Sequence, residues 1–137
     1  MNFLLDTKTC VAMINGKPGS VRTRLQEVIA EGATVFVPSI VILDLWYEVA
    51  KSSRPRVNRQ RLKTFLAGPI TVLAFDEQDA EIAGRLRAAL ETAGKSIGAY
   101  DLLTAGQALR YKLALVTANV SEFTDLHGLA WEDWSKR

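Results

Sequence analysis

Cysteine and histidine are nearly absent from the chain, and their scarcity excludes several kinds of site. Cys10 is the only cysteine in 137 residues, so neither an internal disulfide framework nor a cysteine metal cluster can form. The only histidine, His127, lies in the late segment DLHGL, where we expect a surface residue rather than a catalytic base.

Long apolar runs are also missing. The longest apolar stretches fall well below the roughly 20 residues that a bilayer-spanning helix needs, and Asp6 interrupts the first of them. The opening MNFLLDT has neither the basic start nor the apolar length of a secretory signal. We therefore expect a cytoplasmic protein that does not enter the membrane.

Positive and negative side chains are nearly equal in number, with a formal net charge of +2. The overall charge therefore permits nucleic-acid binding without requiring it. Locally, the basic segment KSSRPRVNRQRLK at 51–63 holds six cations and no acid. This basic segment is either a solvated loop and helix face or a surface that contacts phosphate or a partner. If it contacts RNA, the candidates are Arg54, Arg56 and Arg59.

Short apolar runs alternate with helical patterns, which predicts an α/β fold with helices covering a mostly parallel sheet. With 48% hydrophobic residues, the chain is long enough to form one domain, residues 1–137, around a real core. The predicted strands are 2–5, 34–37, 70–75 and 113–117, with a candidate fifth at 130–131. The predicted helices are 7–14, 20–30 capped by Ser20, 39–51, 58–67, 77–92 capped by Asp76, and 100–110.

Polar oxygen-bearing residues stand at the boundaries of these elements. Asp6 follows the first strand, and Asn119 lies just past the fourth. Asp44 and Asp101 fall in early turns of helices that start after strands. Because the carboxyl ends of parallel strands share one edge of a sheet, we expect all four residues to converge there. Asp6 could instead simply cap the helix that follows, Asp101 could favour the positive end of its helix, and Asn119 could be a turn former. Asp44 has a weaker structural interpretation, because an unpaired carboxylate within an apolar stretch is costly.

Four segments spread over nearly the whole chain follow a known pattern. They are LLDT near the start, DLWY at 44–47 followed by Ser52, IG at 97–98 followed by Asp101 and AGQAL, and LVTANVSEF with GLAWEDW near the end. In this order and spacing they resemble the PIN-domain ribonucleases of the VapC toxin type. They match that family's first acid, its Glu-Leu-x-Tyr-Gly segment, its third-acid helix and its closing portion.

The resemblance implies a PIN-like three-layer α/β/α fold with a central, mostly parallel sheet of four to five strands. It implies a Mg²⁺-dependent endoribonuclease, a hydrolase of phosphodiester bonds that acts as the toxin of a type II toxin-antitoxin pair. The substrate would be a structured RNA, either tRNA or rRNA. The implied partners are a second copy of the chain in a homodimer and a small VapB-like antitoxin that covers the acidic pocket.

The chain departs from the family pattern at four positions. Lys8 stands where the family usually has Asn and is a candidate for contacting phosphate. Asp44 stands where the family usually has Glu. Glu48, one helical turn later, stands where the family usually has Gly, and it could supplement or replace Asp44. Asn119 occupies an often acidic position, and Glu122, three residues on, could take part of its role.

Oxygen ligands of this kind suit a hard cation. Mg²⁺ prefers carboxylate oxygens and keeps several of its waters, so two or three carboxylates suffice, and Mn²⁺ suits the same ligands. We expect Asp6 and Asp101 to be direct ligands and Asp44 to complete the acidic pocket. Glu48, Glu122 and Asn119 are further candidates. A bound cation would also relieve the repulsion between gathered carboxylates.

Two other functions stay open on sequence grounds. Lys8, Asp44 and Asn119 would also fit a PIN-like protein that has weakened catalysis and only binds RNA or a partner. LLDT at a strand end is similar to the start of haloacid dehalogenase-like phosphatases, which use an aspartyl-phosphate. Those enzymes place a second Asp two residues after the first, where this chain has Lys8.

Overall fold

A computed structural model describes residues 1–124 and 126–136 of the chain. The strands in this part are β1 Phe3–Leu5, β2 Val35–Pro38, β3 Thr71–Leu73, β4 Ala114–Val116 and β5 Trp131–Glu132. The helices are α1 Thr7–Asn15, α2 Gly19–Ala30, α3 Ser39–Lys51, α4 Pro55–Leu66, α5 Glu77–Thr92, α6 Ala99–Tyr111 and α7 Val120–Phe123.

The five strands form one sheet in the order β3-β2-β1-β4-β5, and every pair is parallel. The predicted α/β fold with a mostly parallel sheet is therefore confirmed. The chain adds β2 and β3 on one side of β1, then crosses over and adds β4 and β5 on the other side. This reversal leaves a crevice at the carboxyl ends of β1 and β4, where open parallel sheets bind ligands.

Alternate residues of β1 supply two separate cores. Phe3 and Leu5 pack into a cluster with residues from α1 to α4, whereas Leu4 packs into a second cluster with residues from α5 to α7. Successive side chains of a strand point to opposite faces, so helices cover the sheet on both sides. Cys10 is fully buried in the first cluster. Of the helices that the structure describes, none is long and apolar enough to span a membrane.

The structure corrects three local predictions. Helix α4 starts at Pro55 rather than at Asn58, because proline suits the first helical position and the loop is correspondingly shorter. Ser20 does not cap α2; its hydroxyl instead donates to the carbonyl of Trp134 at 2.9 Å, which ties the end of the chain to this helix. The short helix α7 was not predicted.

A buried polar network fixes α6, the helix that carries Asp101, against α5. Asp79 on α5 is completely buried, and its carboxylate accepts from Arg110 at 2.8 Å and from Gln107 at 3.1 Å, both on α6. It also accepts from the backbone N–H of Asp76 at 2.9 Å, as half of a capping box. A buried carboxylate is tolerated only when its lone pairs are used in this way.

We expect Asp79→Ala to lower the free energy of unfolding by about 3 kcal/mol, because the change removes the fully buried carboxylate that joins Gln107 and Arg110 of α6 to α5. Urea denaturation monitored by circular dichroism measures this loss. Glu81→Ala is the matched control, since the exposed pair of Glu81 with Arg85 on the same helix contributes only about 0.5 kcal/mol. Equal losses in the two variants would contradict a structural role for the network.

Candidate active site

A cleft of about 560 Å³ opens beside the carboxyl ends of β1 and β4. Four predicted site residues, Asp6, Asp44, Asp101 and Asn119, lie along this cleft although up to 113 positions separate them in sequence. The full set of lining residues is Asp6, Thr7, Lys8, Val11, Asp44, Glu48, Gly98, Ala99, Tyr100, Asp101 and Asn119. Four of them are carboxylates, so the cleft is acidic and offers only oxygen ligands.

Asp6 is held at the end of β1 by two hydrogen bonds. Its backbone N–H donates to the carbonyl of Val116 on β4 at 3.2 Å, which continues the pairing of Leu5 with Val116. Its Oδ1 accepts from the backbone N–H of Thr9 at 2.9 Å and caps α1. The side chain is 7% exposed and still reaches the cleft. The helix-cap interpretation of Asp6 is therefore correct, and it is compatible with a place in the site.

Asp101, in the first turn of α6, has a pKa that is raised by its surroundings in the site. Burial, a hydrogen bond with the carboxyl of Glu122 and the charges of Glu122 and Asp6 raise the pKa of Asp101 from 3.8 to about 7. The ammonium of Lys8 acts in the opposite direction. Asp101 therefore keeps its proton up to about neutral pH, as a crowded acid does when no cation separates it from its neighbours.

Two hydrogen-bond donors that the sequence did not predict hold Glu122 beside the site. Its Oε1 accepts from the backbone N–H of Gly98, at the start of α6, at 2.7 Å. Its Oε2 accepts from the side-chain amide of Asn119 in a short hydrogen bond. Asn119 thus orients Glu122, which joins α7 to the start of α6 beside Asp101.

Asp44 and Glu48 approach the cleft from α3. Asp44 is half-buried, and Glu48 is exposed one turn later. Glu48 pairs with Lys51 on the same helix at 3.3 Å, in an ion pair with both side chains about half exposed. Such an exposed pair is weak and leaves Glu48 free to exchange partners.

The predicted cations divide into two groups. Lys8 lines the cleft, whereas Arg54, Arg56 and Arg59 are exposed on α4 and its N-terminal cap and are not part of the cleft wall. Tyr100, which was not among the predicted site residues, also lines the cleft and is 46% exposed. Trp134, in contrast, is a core residue whose ring meets Phe3 edge to face at 5.4 Å.

The donor set fits a hard divalent cation. It consists of carboxylate oxygens on separate rigid elements. Repulsion between these acids helps to raise the pKa of Asp101, and a bound cation would remove that repulsion. Within the described residues, no three Asp, Glu, His or Cys side chains are close enough to hold an ion together as they stand. Mg²⁺ suits this spacing, because it keeps several waters and binds through one or two carboxylates.

The chain matches the family model described as "PIN domain" over residues 3–127. Its relatives include ribonuclease VapC2 of Rickettsia felis, 37% identical over 99% of this chain and 100% of the relative. A second is the tRNA(fMet)-specific endonuclease VapC of Shigella flexneri, 36% identical over 98% of this chain and 99% of the relative. The chain belongs to the VapC family of PIN-domain proteins. The resemblance seen in its four sequence motifs is thereby confirmed.

Solved VapC-family structures are also close to this one. VapBC2 from Rickettsia felis, bound to a DNA fragment from their promoter, contains a chain with a TM-score of 0.90 and 35% identity, covering 98% of this chain and 99% of that chain. VapBC-1 from nontypeable Haemophilus influenzae matches with a TM-score of 0.87 and 26% identity over 99% of this chain and 100% of that chain. The strand order and layers described above are therefore those of VapC-family PIN domains.

We expect Asp101→Asn to stabilise the metal-free protein at pH 8. Asp101 keeps its proton up to about pH 7 in the folded state but loses it near 3.8 when unfolded, so its contribution to stability falls as pH rises across that interval. The amide variant escapes this penalty. Because the side chain is only half-buried, water screens the effect, and we expect a gain on the order of 1 kcal/mol.

Urea denaturation in EDTA at pH 8 and pH 5 measures the effect, and the gain should shrink at the lower pH. Glu81→Gln, on the exposed face of α5, corrects for the loss of one negative charge. A destabilisation by Asp101→Asn that is the same at both pH values would contradict the crowding of acids described above.

Proposed function

We propose that this VapC-family protein is a metal-dependent endoribonuclease and the toxin of a type II toxin-antitoxin pair. The observation that carries the proposal is the cleft at the β1–β4 crevice. Four carboxylates line this cleft, and Asp101 among them has a strongly raised pKa. Grouped acids of this kind are costly for folding, and a function that uses a cation accounts for that cost.

Asp6 and Asp101 are the residues proposed to hold Mg²⁺, with Asp44 completing the site and Mn²⁺ able to replace Mg²⁺. When bound, such an ion neutralises charge on a phosphodiester and lowers the pKa of a water for in-line attack. The β1–β4 pairing fixes the position of Asp6, and Glu122 with its two donors fixes the surroundings of Asp101. Glu48 and Asn119 stay candidates for contacts through water.

The proposed substrate is a structured RNA, with tRNA as the first choice over rRNA. The choice rests on relatives such as the Shigella flexneri protein, whose name states tRNA(fMet) specificity, at 36% identity over nearly the full length. Arg54, Arg56 and Arg59 supply an exposed basic face on α4 and its cap that suits the backbone of an RNA extending beyond the cleft. We expect the protein to act in the cytoplasm, where these RNAs are found.

A VapB-like antitoxin and a second copy of the chain are the proposed protein partners. The structural neighbours named above are VapBC complexes, and the likeness to them extends over nearly the whole chain. A protein that covered the acidic cleft would block access of RNA to Asp6 and Asp101. The toxin would then be inactive in the complex and active when the antitoxin is lost.

A PIN-like protein that only binds RNA is the second candidate. It is favoured by the shorter Asp44, by Lys8 within the acidic cleft and by the use of the Asn119 amide to orient Glu122. Such a protein would retain RNA without Mg²⁺ and would not cut it when Mg²⁺ is added. The catalytic candidate predicts cleavage that depends on Mg²⁺.

We expect the purified chain to cut tRNA in Mg²⁺ and to stop when EDTA is added. Asp101→Asn should lower the rate roughly a hundredfold or more, because it removes a carboxylate from the proposed metal site. Gel analysis of labelled initiator tRNA, an elongator tRNA and rRNA measures the rate and ranks the substrates. Isothermal titration with Mg²⁺ should show weaker binding to the variant.

Two controls belong to this experiment. Glu81→Gln removes an exposed carboxylate far from the cleft and should cut RNA at the wild-type rate. Asp101→Asn should still bind the antitoxin when the two are co-expressed, which shows that its surface is intact. Full cleavage by Asp101→Asn would remove Asp101 from the metal site, and absence of any cleavage by the wild type in Mg²⁺ or Mn²⁺ would favour the binding-only function.

A further inference from the structure

Lys8 is an unusual residue for its position in the fold. Of the described residues that line the cleft, it alone is cationic, among four carboxylates. It is exposed, and no hydrogen bond or ion pair of its side chain is found within the described part of the chain. An unpaired cation facing an acidic cleft is available to a ligand that carries negative charge.

The helix that carries Lys8 gives no reason for a lysine at this position. Lys8 is the second residue of α1, and the first turn of α1 contains no acid. The N-terminal end of a helix is the positive end of its dipole, where a cation is unfavourable and an anion is favoured. Residues that oppose the preference of their own element are concentrated at functional sites.

Tyr100 lies in the same cleft, and packing does not explain why an aromatic residue stands there. Its side chain is 46% exposed, and it directly precedes Asp101 at the start of α6. An aromatic ring that stays exposed beside a charged cleft offers a flat surface to a base, and stacking of this kind is a main source of affinity for single-stranded nucleic acid. The cation and the ring therefore supply the two interactions that one unpaired nucleotide needs.

We propose that Lys8 and Tyr100 form a nucleotide-binding subsite beside the carboxylates, in which the Lys8 ammonium holds a phosphate oxygen and the Tyr100 ring stacks on the adjoining base. The subsite rests on the proposed ribonuclease function and adds to it two substrate-binding residues. The positive charge of Lys8 also offsets the repulsion between the RNA phosphate and the acids of the cleft.

The two residues have different signatures in a binding experiment. A phosphate contact releases counterions, so its loss reduces the salt dependence of binding, whereas loss of a stacked base does not. We expect Lys8→Met to weaken binding about tenfold at low salt and to lower the slope of log K against log [salt] by about 0.7. We expect Tyr100→Ala to weaken binding about tenfold with an unchanged slope.

Fluorescence anisotropy with a labelled single-stranded RNA oligonucleotide, in EDTA so that no cleavage occurs, measures both quantities. Lys8→Arg and Tyr100→Phe should bind within about twofold of the wild type, since they keep the charge and the ring. Lys17→Met is the matched control for the loss of one exposed lysine outside the cleft. Tyr111→Ala, at the other end of α6, is the control for the loss of a partly exposed ring.

The outcomes separate this inference from the proposed function. Wild-type cleavage of RNA in Mg²⁺, together with a normal slope for Lys8→Met, overturns the role of Lys8 and leaves the ribonuclease function standing. A wild type that neither binds nor cuts RNA overturns both. Tyr100→Ala that binds RNA normally but changes the oligomeric state in light scattering assigns the ring to a protein interface and overturns its role in the subsite.

Discussion

The reversal of strand order between β1 and β4 is the constraint on which the site depends. Because β2 and β3 extend the sheet on one side of β1 while β4 and β5 extend it on the other, the connections leave the carboxyl ends of β1 and β4 in opposite directions. The pairing of Leu5 with Val116 then places Asp6 directly beside the segment that leads to Asn119. The pairing brings two residues that are 113 positions apart in sequence to the same cleft.

This arrangement brings like charges together, and the surrounding structure offsets part of the cost. Asp6 accepts a hydrogen bond from the first turn of α1, where the helix dipole also favours a negative charge. Glu122 accepts from Gly98 and Asn119. The raised pKa of Asp101 reflects the repulsion that these hydrogen bonds do not offset. The buried Asp79 also holds α6, the helix that carries Asp101, against α5.

The sequence predicted the parallel α/β fold and the convergence of Asp6, Asp44, Asp101 and Asn119, because both depend on local patterns and on a general rule of parallel sheets. It did not predict contacts that depend on the final positions of distant elements. Ser20 has the sequence context of a helix cap, yet its hydroxyl bonds to Trp134, which only the folded chain brings near. The contact of Glu122 with Gly98 was missed for the same reason, since 24 positions separate the two residues.

The hydrogen bonds of the acids also distinguish their parts in the site. The cap of α1 uses only Oδ1 of Asp6, and its Oδ2 has no hydrogen bond among the described residues, so a whole oxygen remains for a ligand in the cleft. Glu122, in contrast, uses both of its oxygens for protein donors. Fewer of its lone pairs remain for a ligand, and its carboxyl also forms a hydrogen bond with Asp101. We therefore favour Asp6 and Asp101 as the pair that binds a cation, with Glu122 as the acid that holds Asp101 in place.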